Sequence, residues 1–148
     1  MMYNTLIIIH NILRWGVLFA GIYAITKAAQ GVINKKDFEK ADNLSQIIFV
    51  IFCHTQLLIG LILYFISPAV DQAFKSGEMM KNAGFRFVAV EHIATMVIAI
   101  AFIQVGRTLS KKAANSISKH KIALRYFAIG MIMILARIPW SKALFPGM

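Results

Sequence analysis

Four long apolar runs restrict what this chain can fold into. They cover about residues 5–29, 43–67, 85–107 and 122–140, and each is about long enough to cross roughly 30 Å of hydrocarbon at 1.5 Å per residue. The chain is 59% hydrophobic, well above the roughly 45–50% apolar content of soluble domains. We therefore predict a single all-α, integral-membrane domain over residues 1–148, built as a four-helix bundle.

The basic residues between the runs predict how this bundle is oriented. Short loops make sequential helices antiparallel neighbours, which gives an up-down-up-down bundle. Of the 16 Lys and Arg residues, ten lie in the first and third loops and their flanks, and four lie in the second loop, its flank and the tail. Basic loops stay on the cytoplasmic side, so both termini are predicted on the outer side. The basic loops beside the lipid bilayer thereby explain the net charge of +10. The sequence contains no nucleic-acid-binding motif, so nucleic acid is not an expected partner.

Charged and imidazole side chains interrupt two of the apolar runs. His10 and Arg14 lie in the first run, and Glu91 and His92 lie near the head of the third. A charge inside a bilayer costs several kcal/mol and is a functional-site hypothesis by default. His10 is roughly 7–8 Å and His92 roughly 10 Å below the outer face, at 1.5 Å per residue. These two positions are therefore predicted to face each other across the bundle.

Further polar residues are predicted in the same outer half of the bundle. Gln56 and Arg137 lie there, whereas Gly, Ala and Met are expected to line the inner half. On an ideal helix His54 lies roughly 160° from Gln56, so both cannot point at the bundle axis. A weakly polar stripe along the second run favours Gln56. His120 is expected in the basic loop before the fourth run.

Two histidines at matched depth on parallel helices suit one haem b with two imidazole ligands. Bundle cores build cofactor sites from facing helices, and neutral imidazole is a common iron ligand. His10 and His92 are the predicted metal ligands. Arginine pairs with carboxylates through two hydrogen bonds, so the candidates to bind the haem propionates are Arg14, Arg86 and Arg137. A second haem of this kind is not expected, because His54 has no histidine partner on the fourth run.

The same residues allow two other interpretations. Histidines can simply hydrogen-bond across membrane helices, and Glu91 can form a buried ion pair with Arg14 or Arg137. Alternatively, Gln56 and Glu91 can line a pocket for a quinone or lipid without haem. In that case Glu91 is a candidate proton acceptor beside a reducible ligand.

Several motifs together resemble those of a known group of proteins. The motifs are His10-x3-Arg14-Trp15, His54-x-Gln56-Leu57-Leu58-x-Gly60-Leu61, Arg86-Phe87-x3-Glu91-His92-x3-Met96 and Ile138-Pro139-Trp140. They resemble those of small four-helix bacterial membrane proteins catalogued as cytochrome b-like and, more distantly, of four-helix membrane cytochromes b of the b561 type. The likeness covers nearly the whole chain.

This resemblance implies an electron-transfer protein of the bacterial inner membrane with periplasmic termini. Its expected redox partner is a membrane quinone or a respiratory complex. The distant relatives typically bind two haems through two histidine pairs, and this sequence departs from them in having one pair. One haem near one face does not span the bilayer, so the competing function is a non-enzymatic accessory or structural membrane subunit.

Overall fold

The computed structural model describes residues 2–140, which are all-helical and contain no strand. The prediction of an all-α chain is therefore confirmed for these residues. The predicted tail, 141–148 with Lys142, lies outside the described residues. The helices are α1 (Met2–Ile33), α2 (Lys40–Ile66), α3 (Pro68–Lys75), α4 (Ala83–Lys112) and α5 (Ser116–Arg137).

Three of the predicted spans are long and apolar enough to cross a membrane, namely α1, α2 and α4. The fourth predicted span, α5, does not join them within the described part of the chain. Lys119, Lys121 and Arg125 lie in its first half, and Arg137 is its last residue. Because of these charges, α5 is not among the helices that are apolar enough to cross a membrane, although its middle is apolar.

Capping side chains make the helices longer than the apolar runs predicted. Glu39 and Asp42 form a capping box at the start of α2, in which Asp42 Oδ2 accepts from the Glu39 N–H at 2.9 Å. Asn115 Oδ1 accepts from the Ser118 N–H at 2.9 Å and begins α5. The loop predicted over 108–121 therefore shrinks to 113–115. Hydropathy marks the apolar part of a helix, whereas caps mark where the helix ends.

The predicted second loop contains the short helix α3. Ser67 Oγ accepts from the Val70 N–H at 3.4 Å, and Pro68 occupies the first turn, where its missing N–H costs nothing. Val70 and Ala73 are buried, so α3 is anchored by its apolar face.

The four long helices pack in sequence around a common core. Helix α1 contacts α2 and α5, and α4 contacts the same two helices. The rings of Phe49 and Phe127 meet edge to face at 5.3 Å between α2 and α5, and Ile103 of α4 is fully buried beside them. The core thus joins all the long helices.

A cluster of polar side chains lies at the end of the molecule where α1 and α4 finish. Arg107 Nη2 donates to Asn43 Oδ1 at 2.6 Å, and Arg107 Nη1 donates to Gln46 Oε1 at 3.5 Å. Gln46 Nε2 donates to Ser110 Oγ at 3.2 Å, which donates to the Lys119 carbonyl at 2.9 Å. Gly, Ala and Met were expected to line this half, and Ala24, Gly106 and Met131 are buried, but the polar cluster was not predicted. Because these groups hydrogen-bond to each other across α2, α4 and α5, they can be buried at low cost.

His120 is buried inside α5 rather than placed in a basic loop, which corrects the prediction. Its side chain is 1% exposed, and its ring lies 5.2 Å from that of Phe38 and against Gly31 of α1. Neither ring nitrogen has a hydrogen-bond partner among the described residues. A neutral imidazole always has one N–H donor and one acceptor nitrogen, so burial leaves both unsatisfied.

We expect the variant His120→Leu to be more stable than the wild type by about 1 kcal/mol. A buried polar group without a partner costs about 1–3 kcal/mol, and leucine removes that cost while it keeps an apolar contact with Phe38. Thermal unfolding in detergent measures the change, with the exposed His54→Leu as the matched control. A clear loss of stability in His120→Leu would show that the imidazole nitrogens are satisfied in solution.

Candidate functional site

A cavity of about 300 Å³ lies near the N-terminal end of α1, where all four long helices contribute to its wall. Its polar lining includes His10 and Arg14 from α1, Gln56 from α2 and His92 from α4. The other lining residues are mostly aliphatic and aromatic, among them Val17, Leu57, Leu63, Ile93, Met96, Ile100 and Ile134. The structure thus brings together four residues that the sequence placed in the outer half of the bundle.

His92 is held in a defined orientation by the end of α5. Its Nδ1 lies 2.9 Å from the backbone carbonyl oxygen of Arg137. A carbonyl oxygen only accepts hydrogen bonds, so Nδ1 must carry the proton and the neutral ring keeps its lone pair on Nε2. Metal-binding histidines almost always donate their other N–H to a carbonyl, carboxylate or water in this way. His92 therefore has the arrangement of a ligand side chain.

His10 packs against α2 at Gly60. A Cβ at position 60 would lie 3.1 Å from His10 Cε1 and 3.7 Å from its Nδ1, so the absence of a side chain makes room for the imidazole. Gln56 Nε2 donates to the His10 carbonyl at 2.9 Å, which fixes this part of α1 against α2. The buried His10 Nδ1 and Gln56 Oε1 have no hydrogen-bond partner among the described residues. Two unpaired polar atoms therefore belong to residues that line the cavity.

The charge of the cavity wall is positive. Arg14 is 7% exposed and lines the cavity. The described lining contains no Asp or Glu side chain. Since opposite charges attract each other more strongly away from water, the Arg14 guanidinium favours a ligand with an acidic or electron-rich part.

Arg86, Glu91 and Arg137 form an ion-pair cluster beside the cavity instead of lining it. Glu91 Oε1 lies 2.7 Å from Arg86 Nε, and Glu91 Oε2 lies 3.6 Å from Arg137 Nη1. Arg86 Nη1 also donates to the Met80 carbonyl at 2.9 Å. Arg86 and Arg137 were predicted to bind a cofactor, and in this structure their guanidinium groups contact Glu91. Glu91 was a candidate proton acceptor, and its carboxylate is shared by the two arginines.

The remaining histidine of α2 lies away from the cavity. His54 is exposed, and its Nδ1 lies 2.9 Å from the Val50 carbonyl of its own helix. The weakly polar stripe predicted that Gln56 rather than His54 points at the bundle axis, and the structure agrees. Met96 packs against the core and is also part of the cavity wall.

Some residues of the site were not singled out from the sequence. Tyr64 Oη donates to the Ala89 carbonyl at 2.9 Å, and the hydroxyls of Tyr3 and Ser67 lie 3.3 Å apart. All three tyrosine and serine side chains line the cavity. Tyr64 and Ser67 belong to the weakly polar stripe of the second apolar run, and this stripe could have identified them from the sequence. Tyr3 precedes the predicted start of the first helix, so nothing marked it.

Between residues 2 and 140 no group of three or more His, Cys, Asp or Glu side chains is arranged to hold a metal ion. A metal at this cavity would therefore depend on the two imidazoles. Comparisons of the chain with protein-family models, curated proteins and solved structures give no match.

Proposed function

We propose that this chain is a four-helix transmembrane bundle that holds one haem b between His10 and His92 and serves as an electron-transfer protein. The observation that carries this proposal is that both imidazoles line one largely apolar cavity, where His92 keeps the Nε2 lone pair. Two neutral imidazoles are a common ligand set for haem iron in membrane bundles. Bound haem b supplies one-electron redox chemistry.

The membrane arrangement in this proposal has both termini on the outer side. It is supported by the length and apolar character of α1, α2 and α4, and by the Lys and Arg concentrated at the opposite end of the molecule. Helix α5 completes the bundle because its core-facing residues Phe127, Met131 and Ile134 are buried. The proposed location is a bacterial inner membrane, with a membrane quinone or a respiratory complex as the redox partner.

Each polar residue of the cavity has a role in this proposal. His10 and His92 bind the iron, and Arg14 is placed to pair with an acidic group of the cofactor. Gln56 holds the backbone of His10 against α2. The aliphatic lining excludes water, which raises the strength of electrostatic interactions inside the cavity.

A quinone-type ligand without haem is the second candidate. Gln56 Oε1 is a buried acceptor without a partner, and a quinol hydroxyl would donate to it. The cavity volume of about 300 Å³ lies at the lower end of the roughly 300–1,000 Å³ of small-molecule pockets. These two observations favour a compact ligand with hydroxyl groups.

Absorption spectra of the detergent-purified protein test the proposal. Protein made in cells with ample haem is expected to show a haem b spectrum with sharp α and β bands on reduction by dithionite. His10→Ala and His92→Ala should abolish these bands or leave a five-coordinate haem, because each removes an iron ligand. The exposed His54→Ala is the control and should keep the wild-type spectrum. A colourless wild-type protein would rule out haem, and extraction of a bound quinone would then support the second candidate.

A further inference from the structure

We propose that Glu91 is a positioning residue that fixes the His92 imidazole through Arg137. This inference rests on the proposed function in one respect, namely that His92 binds the cofactor. The positioning itself is a property of the polypeptide alone, so it is measured on haem-free protein, because iron bound at Nε2 would itself keep the proton on Nδ1.

The consecutive residues Glu91 and His92 hold the same residue at the end of α5. The Glu91 carboxylate lies 3.6 Å from the guanidinium of Arg137, and His92 Nδ1 lies 2.9 Å from the Arg137 carbonyl. Arg137 is the last residue of α5, and the last carbonyls of a helix have no partner within the helix. His92 supplies a donor for this carbonyl, and Glu91 restrains the side chain of the residue that carries it.

A π-helical turn at Phe87–Glu91 makes this arrangement possible. In an α-helix, residues five apart lie about 140° apart around the axis. The π turn bonds residue i to i+5, as the His92 N–H does to the Phe87 carbonyl, and so brings such residues closer to one face of the helix. Arg86 and Glu91 are five apart and their side chains lie 2.7 Å apart. Arg86 thus holds the Glu91 carboxylate in position to reach α5.

The consequence of this clamp is a single tautomer of His92. While the Arg137 carbonyl stays in place, Nδ1 keeps the proton and Nε2 keeps the lone pair. Without the Glu91 contact, the last turn of α5 keeps the His92 hydrogen bond but loses the ion pair to α4, and helix ends fray readily. The ring can then exchange its proton between the two nitrogens and rotate away from the ligand orientation.

The test is ¹⁵N NMR of histidine-labelled protein in detergent, comparing Glu91→Gln with the wild type. The wild-type His92 signal, assigned with His92→Gln, should show one tautomer with the proton on Nδ1. Glu91→Gln should lose this single-tautomer signal. Arg137→Met should have the same effect because the proposed route passes through the Arg137 side chain, whereas Arg137→Lys should keep the signal. Glu78→Gln makes the same charge change in an exposed loop and is the matched control.

Haem retention is the second measurement. Loss of groups that orient a metal ligand typically lowers metal affinity 10–100-fold, so Glu91→Gln should retain haem roughly 10-fold less tightly. If the His92 tautomer is unchanged in the haem-free forms of both Glu91→Gln and Arg137→Met, the positioning role is overturned. If the tautomer changes in a protein that never binds haem, the positioning role is upheld and the proposed haem function fails.

Discussion

Replacing Gly106 with alanine is expected to destabilise the protein by about 1–3 kcal/mol, the usual cost of overpacking a close contact. Gly106 is a buried residue of α4, and a Cβ added there would overlap the Cβ of Tyr126 in α5. A Cβ is attached directly to the backbone and cannot swing aside. The two helices must therefore separate, which also disturbs the stacking of Tyr126 on Phe102 at 4.6 Å.

Thermal or denaturant-induced unfolding in detergent measures this effect for Gly106→Ala. The adjacent Val105→Ala is the control, since Val105 is exposed on the outer surface of α4 and its replacement removes only a surface contact. Close approach of backbones at small residues is a main source of helix association in lipid. An unchanged stability of Gly106→Ala would mean that α4 and α5 do not pack as closely as the structure shows.

The second large effect is expected at Gly60, where the substitution Gly60→Val should weaken binding of the proposed haem in the cavity. The valine Cβ would lie 3.1 Å from His10 Cε1, and its two methyl groups would crowd the imidazole or enter the cavity. We expect the ligand to bind at least about tenfold more weakly, which corresponds to ~1.4 kcal/mol. The bundle core around Phe49 and Phe127 is untouched, so the protein should still fold.

The ratio of bound haem to protein after purification measures the loss in Gly60→Val, and co-purified quinone is measured in the same sample. Leu58→Val, at an exposed position of the same helix, is the control for adding a β-branched residue to α2. Wild-type ligand content in Gly60→Val would show that the ligand lies elsewhere. Loss of ligand with an intact fold would separate the proposed function from a purely structural polar network.

The cavity was predictable to the extent that single helices determine it. Depth along each run placed His10 and His92 at one level, and the polar stripe of α2 selected Gln56 over His54. The ion pair of Glu91 with Arg137 was one of two alternatives that the sequence left open, whereas its pairing with Arg86 was not predictable in this way. The π turn at Phe87–Glu91 changes the rotation of everything that follows it, and the hydrophobic pattern carries no sign of that turn.

The polar cluster of Arg107 and Gln46 was missed for a different reason. Both residues lie near helix ends, where polar side chains normally face water, and the sequence gives no measure of their burial. Only the packing of α2 against α4 brings Asn43, Gln46 and Arg107 within hydrogen-bond distance. His120 was assigned to a loop because its neighbours are basic. In the structure the Asn115 cap begins α5 before His120, and Gly31 makes room for its ring.

The sequence by itself determined that the chain is helical, that most of its length is apolar enough for a membrane, and which few residues break that pattern. Their depth follows from the constant rise of a helix. Only the tertiary structure decided which of these residues meet. In an apolar chain the lipid-facing and core-facing surfaces of a helix have similar composition, so rotation is set by close packing at residues such as Gly60 and Gly106. The pairing of His92 with Arg137, and of Glu91 with two arginines, depends on that rotation.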